Sequence, residues 1–303
     1  MLDLSIIIVS YNAKEFLKKC LESIANNVSQ SLKSEIIVVD NASWDESVES
    51  IKYYVSSIKH RNIRIIANKE NVGFSRANNQ GIKASKDSRY ILFLNPDTIV
   101  KKNTLEEMIN FMDKHKDAGA VSCKVVLPNG QIDDSCHRGF PTPWNAFSYF
   151  SGIYKIFPHS KLFSGYSLGF MDFSKTHEVD ACAGAFMMVR REAGEEVEWW
   201  DEDYFWYGED LDFCYRLKEK GWKIYYVPTV SILHYKGVSG GIKRESEKIS
   251  TATIETKISA TRHRFNAMKI FYKKHYEQKY PKLLRWLVLK TIDIKQSLAL
   301  KNV

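Results

Sequence analysis

Four side chains of this 303-residue sequence are of types that hold cations or move protons: Asp40 after EIIVV, Asp97 after YILFLNP and His234 after SIL follow apolar runs, and Asp210 lies in the acidic aromatic YGEDLDF. Carboxylates hold divalent cations or take protons, and an imidazole does either. In Asn95-Pro96-Asp97 the proline stiffens the chain and pushes Asn95 toward extended geometry, which aims Asp97 out of a strand end. The same triplet is ordinary turn chemistry, and Asp commonly caps a helix such as the one expected from Thr104. The triplet alone leaves both readings open.

The elements that must position these groups follow from the pattern. Residues 4–10 (LSIIIVS), 35–39 (EIIVV), 63–67 and 90–94 are short apolar runs that read as strands buried on both faces. Helical spacing fills 13–26, 45–59 and 77–85, with a polar loop containing Gly73 over 68–76. Alternating strands and helices give an α/β fold with a mostly parallel, twisted sheet flanked by helices. Ligands of such sheets sit outside the carboxyl ends of the strands, where Asn12, Asp40 and Asp97 converge. An acid in the place of Asp40 commonly accepts hydrogen bonds from a ribose or base, or else caps the next helix. The turn after the first strand, VSYNAKEF, has no glycine, which excludes a dinucleotide-binding fingerprint, and no GxxxxGK[ST] loop occurs.

VSYN (9–12), VVDNAS (38–43), NVGFSRANNQGI (71–82) and LNPDT (94–98), in this order and spacing, resemble the inverting family 2 glycosyltransferases of GT-A fold, and within them the branch with bacterial rhamnosyltransferases. The resemblance implies a nucleotide-diphosphate sugar along this edge. Asp40 would hold the nucleoside with Ser10 and Asn12; Asn71, Gly73, Phe74, Arg76, Asn78 and Asn95 would line the nucleotide and diphosphate. Asp97 and His234 would bind Mg²⁺ or Mn²⁺. The chain has Asn-Pro-Asp where many relatives have Asp-x-Asp, which leaves one carboxylate for the metal. A nucleotidyltransferase would need a glycine-rich basic first loop, which VSYNAKEF is not; an inactive sugar-binding module would lack the acids kept here.

The second half opens with VDACAGAFMMVRREA (179–193), where Gly184 and Ala185 either let backbone approach a sugar or allow close strand packing. The acidic aromatic stretch after it, with Asp201, Glu202, Asp203, Glu209, Asp210 and Asp212 among six rings, suits a sugar acceptor stacked on aromatic faces; a patch buried under a loop is the alternative. Glu209 and Asp210 open a helix that Gly221 closes, and a helix N-terminus favours an anion. Similarity to the family's Glu-Asp pair implies Asp210 as general base with Glu209 beside it, and we place the acceptor against Gly184, Asp201, Glu202 and Tyr207. The glycine-bearing loop 237–248 is expected to close over the donor.

Composition bounds the rest. With 44% hydrophobic and 26% charged residues the chain is globular, no apolar stretch nears the roughly 18 residues of a membrane span, and the first ten lack signal-peptide features. Five cysteines without paired spacing give neither a disulfide framework nor a zinc site, and a cytoplasmic setting is expected. Residues 261–303 carry 11 Lys or Arg and 2 acids, so the net +8 resides there and the remainder is near neutral. That argues against a nucleic-acid groove. The basic, apolar final helix either lies on the cytoplasmic membrane face or packs on its own domain. Three regions are expected: 1–110 for the nucleotide sugar, 111–240 for acceptor and catalysis, and 241–303 as loop and C-terminal helices. The expected partners are a dTDP- or UDP-sugar and a glycan or lipid-linked acceptor.

Overall fold

The computed structural model describes residues 1–29, 31–57, 62–243 and 249–303. The end of the helix expected over 45–59 and residues 244–248 of the loop expected to close over the donor lie outside the described residues. In chain order the elements are β1 (Leu2–Ser10), α1 (Lys14–Asn27), β2 (Ser34–Asp40), α2 (Ser47–Ser57), β3 (Ile63–Ala67), α3 (Phe74–Ala84), β4 (Ser88–Leu94), β5 (Thr98–Val100), α4 (Thr104–Lys114) and β6 (Ala118–Val126). A 3₁₀ turn at Asp134–Cys136 leads to α5 (Pro143–Ser151), α6 (Ile153–Ile156), β7 (His177–Val179), β8 (Phe186–Arg190) and α7 (Arg191–Glu196). The chain ends with α8 (Glu209–Glu219), β9 (Lys223–His234), α9 (Ile254–His275) and α10 (Lys282–Lys301).

The fold is α/β with one sheet in the order β3-β2-β1-β4-β8-β6-β9-β5, and β7 pairs with β9. Strands β1 to β4 run parallel, as the buried apolar runs require; β8 joins β4 antiparallel, and β6 pairs parallel with β9. The sheet is therefore mixed in its second half. Ile6, Ile7 and Ile8 of β1 are all fully buried, each contributing about 1.5–3 kcal/mol of transfer free energy, and helices cover both faces.

Two local departures from the sequence pattern bear on the site. Helix α3 starts at Phe74 rather than Ala77, because Gly73 (φ 88°) turns the chain and the Phe74 N–H donates to the Phe205 carbonyl at 2.7 Å. A side chain at Gly73 would be strained in φ and would meet Phe205 at 2.8 Å. Lys223–His234 form a single strand, β9, in spite of Pro228. Its pairing with β6 skips from Val227 to Ser231 around Pro228, which has no N–H for the ladder. The skip lets β9 run on to carry His234 beside β5, where it pairs with Thr98, the neighbour of Asp97.

Candidate active site

The carboxyl ends of β1 and β2 bring Ser10 and Asp40 side by side in register. Asp40 is buried and spends one carboxylate oxygen, Oδ2, on the Ser43 N–H at 2.9 Å. Its Oδ1 and the Ser10 hydroxyl are buried without partners, and burial raises the Asp40 carboxyl above its ordinary value. Unpaired buried acceptors are costly, yet neither Ser10 nor Asp40 lines the cavity beyond the strand ends, and both oxygens are closed off from solvent. Tyr11 and Asn41, the next residue of each strand, line a cavity of about 1280 Å³. Asn71, Gly73 and Phe74 line the same cavity, and Asn41 Nδ2 donates to Asn71 Oδ1 at 2.7 Å. Asn12 and Asn78 serve the scaffold instead: Asn12 Oδ1 accepts from the Trp44 N–H, and Asn78 Nδ2 donates to the Phe74 carbonyl. Arg76 lies outside the cavity lining and pairs with Glu202 at 2.9 Å.

At the end of β4 the stiff Asn95-Pro96-Asp97 exit meets the end of β9. Asp97 Oδ1 lies 3.2 Å from His234 Nε2, and both side chains are buried. Asn95 Nδ2 sits 3.4 Å from the same imidazole nitrogen. On the far side of the ring, Nδ1 faces Asp133 Oδ2 at 3.3 Å, and Asp133 Oδ1 accepts from Lys236 at 2.8 Å. Burial pushes the imidazole down, but the charges and hydrogen bonds of Asp97 and Asp133 outweigh it and raise His234 to about 9. For Asp97, burial acts upward and is outweighed by His234, so its carboxyl lies below the usual value.

At neutral pH the imidazole carries its proton against Asp97, so Asp97 and His234 could hold a divalent cation of the Mg²⁺ or Mn²⁺ type only as the ion displaces that proton. A carboxylate and an imidazole nitrogen stand together, and a second carboxylate fixes the ring from behind, as outer-shell acids do for metal-bound histidines. Among the described residues, no three His, Cys, Asp or Glu side chains gather to form a cage. A metal here needs further oxygens, such as those of a diphosphate. Asp133 and Lys236 escaped the sequence reading, because the DDSCHR cluster (133–138) follows the turn PNGQI rather than closing an apolar run.

Helix α8 starts at Gly208 (φ 81°), and its first turn presents Glu209 and Asp210 to the cavity. Asp210 Oδ2 accepts from Arg138 Nη2 at 2.6 Å, and both side chains are nearly buried. Its Oδ1 accepts from the Leu211 N–H at 2.8 Å. Arg138 comes from the segment between β6 and β7, where its own bridge to Ala181 holds the backbone. Burial acts against the guanidinium charge, and Asp210 outweighs it, so Arg138 stays protonated throughout. Glu209 is buried with Oε2 unpartnered; burial first, then the Asp210 charge, push its carboxyl up to about 8. Two consecutive acids thus differ in state, one ion-paired and one keeping its proton near neutrality.

The acidic aromatic stretch divides. Trp200 and Tyr204 are core residues, and Trp199 packs against the same core. Phe205, Trp206 and Tyr207 line the cavity, with Trp206 and Tyr207 stacked at 5.5 Å. Asp201 and Glu202 lie outside the lining: Asp201 pairs with Lys274 of α9, and Glu202 with Arg76. Gly184 does line the cavity, and a Cβ there would meet Phe74 at an ordinary 3.5 Å, so close packing does not demand a glycine.

Comparison with known proteins gives a consistent picture. The sequence pattern described as Glycosyl transferase family 2 matches residues 5–198. The chain is 31% identical to the rhamnosyltransferase WbbL of Escherichia coli K12 over 238 residues, 76% of this chain and 82% of that one. It is 23% identical to the N-acetylglucosaminyl-diphospho-decaprenol L-rhamnosyltransferase of Mycobacterium tuberculosis, over 78% of each chain. Its fold is that of the mannosyltransferase PcManGT of Pyrobaculum calidifontis, solved with GDP-Man and Mn²⁺, at TM-score 0.60 and 15% identity over 99% of this chain and 74% of that one.

Proposed function

The chain belongs to glycosyl transferase family 2 and is a glycosyltransferase, and from that premise we propose that it moves a sugar, with inversion, from a nucleotide-diphosphate donor to a hydroxyl of a glycan or lipid-linked acceptor. The observation that carries this reading is that one cavity is lined by the nucleotide edge (Asn41, Asn71), by the Asp97 and His234 pair, and by Asp210. Ser10 and Asp40, one residue behind the Tyr11 and Asn41 wall of the cavity, would take the nucleoside. Asp97 and His234 would hold the divalent ion, which would offset charge on the leaving diphosphate.

Asp210 is the general base. As the acceptor oxygen bonds to the anomeric carbon from the face opposite the diphosphate, that carbon's bond to the phosphate oxygen breaks and the hydroxyl proton passes to Asp210. A carboxylate oxygen has two acceptor sites, so the Arg138 and Leu211 bonds orient Asp210 and leave lone pairs for the proton. Glu209, still protonated near neutrality, donates to the acceptor rather than competing as base. Gly184 and Tyr207 face the acceptor, and Asp201 and Glu202 support it at a distance by tying the 199–207 segment to α9 and α3.

The likeness to two rhamnosyltransferases favours a rhamnosyl donor, which we take to be dTDP-rhamnose, for cell-surface polysaccharide synthesis. A panel of dTDP-, UDP-, GDP- and CMP-sugars by calorimetry, each with Mn²⁺ and with EDTA, tests it. Saturation at 100 times the dissociation constant stabilises the fold by about 2.7 kcal/mol. Metal-dependent binding of dTDP-rhamnose is the expected result; a UDP-hexose preference would replace the donor, and no binding at all would end the transferase reading.

A further inference from the structure

Of the seventeen large apolar side chains exposed among the described residues, eleven lie in two short stretches, 144–162 and 283–298. The first covers α5, α6 and the turn after them; the second is α10. Far apart in sequence, they meet in space, because Phe147 and Phe150 line the same cavity as Leu284 and Leu287, and Lys295 sits over the Phe150 ring at 5.0 Å. The apolar end of the cavity is therefore walled by two elements whose outer surfaces are themselves apolar. On α10 the spacing of Leu283, Trp286, Lys290, Ile294, Leu298 and Lys301 puts all six on one face. Trp286 is 56% and Ile294 60% exposed.

Charge decides what this surface fits. No Asp or Glu occurs between residues 141 and 171, which contain exposed Lys155 and Lys161. Asp293, the one acid of α10, is taken by Lys269 at 2.6 Å. A second copy of the chain would bring positive charge against positive charge. An anionic bilayer offers acyl chains to the apolar groups and phosphates to the lysines. No helix among the described residues is long and apolar enough to cross a membrane.

We propose that the joint face of α5, α6 and α10 docks on an anionic lipid bilayer, so that an acceptor with an apolar tail passes from the bilayer between α5 and α10 to Asp210. The route rests on the transferase reading above; the docking surface does not. The cavity, at about 1280 Å³, exceeds the roughly 300–1,000 Å³ of an ordinary ligand pocket, which leaves room for an apolar chain beside the nucleotide sugar.

The test is co-sedimentation of the full chain with phosphatidylcholine vesicles, with and without phosphatidylglycerol, in the absence of nucleotide sugar and acceptor. Expected is binding at least about tenfold tighter to the anionic vesicles, a ratio within reach of a few lysines at about 1 kcal/mol each. The variant Trp286→Ser, Ile294→Ser, Leu298→Ser, which keeps the lysines, should bind the anionic vesicles at least about tenfold more weakly than the wild type does. It should keep the wild-type melting temperature and its turnover on an acceptor headgroup lacking a lipid chain. Equal binding of wild type and variant, no binding to either vesicle, or a dimer in sedimentation equilibrium that the variant dissociates would each overturn the proposal. Failure of all nucleotide sugars to bind while vesicle docking persists would sink the transferase reading and leave the surface standing.

Discussion

The donor edge and the acceptor side of this molecule are built by different means. Along β1, β2 and β4 each functional residue stands at the end of its own strand, within a local motif, and the parallel register alone aligns Ser10 with Asp40. Around Asp210 the partners come from afar: Arg138 is 72 residues away, and the cavity wall opposite is made by α5, α9 and α10. Local motifs place Asp40 and Asp97, whereas Asp210, and His234 beside Asp97, depend on tertiary contacts. Loss of function should therefore separate cleanly between the two sides.

The largest expected effect falls on the acceptor side. Asp210→Asn keeps the shape and removes the proton acceptor, so turnover should drop by about 10²- to 10⁴-fold while calorimetric donor binding stays unchanged. Retained turnover would break the division by denying Asp210 its role. Arg138→Ala comes next: with the carboxylate no longer held, kcat should fall by up to about 10²-fold at constant donor KM, and Arg138→Lys should restore part of it. A merely structural arginine would instead lower the melting temperature and donor affinity together.

On the donor side, Asp133→Asn tests the outer shell of the proposed metal site. The imidazole of His234 loses its charged rear partner, and Mn²⁺ affinity in the presence of nucleotide should weaken by about 10- to 100-fold. Turnover at saturating Mn²⁺ should recover. An unchanged Mn²⁺ titration would mean that His234 contacts phosphate directly rather than a metal.

This division also explains what could be read from sequence. The first four strands and the positions of Asp40 and Asp97 are legible because a buried parallel strand is a continuous apolar run and its terminus is chemically marked. The early start of α3 was hidden, since Phe205, whose carbonyl receives the Phe74 N–H, lies 131 residues further on. The aromatic stretch misled in part: Trp199 and Trp200 look like a sugar platform, yet they pack on Phe213 as core, and only the three rings nearest Gly208 reach the cavity. Asp201 and Glu202 read as acceptor ligands because an exposed acid carries no sign in sequence of the lysine or arginine that will pair with it. Asp133, Lys236 and Arg138 carry no strand-end marker at all; their partners are fixed by the return of β9 and by the bridge to Ala181.

The smallest expected effect sharpens the contrast between the two neighbouring acids. Glu209 is buried and its carboxyl is raised to about 8 from an ordinary 4.5. A proton held more tightly in the folded than in the unfolded chain stabilises the fold fully below pH 4.5, and that contribution fades as pH rises toward 8. The slope cannot exceed about 1.4 kcal/mol per pH unit. Glu209→Gln retains the neutral form at every pH, so its stability between pH 5 and 9, measured by urea unfolding, should decline less than that of the wild type. The two curves should approach each other below pH 5, where both side chains are uncharged. If they run parallel across the range instead, Glu209 titrates normally in the fold and is no proton donor near neutrality.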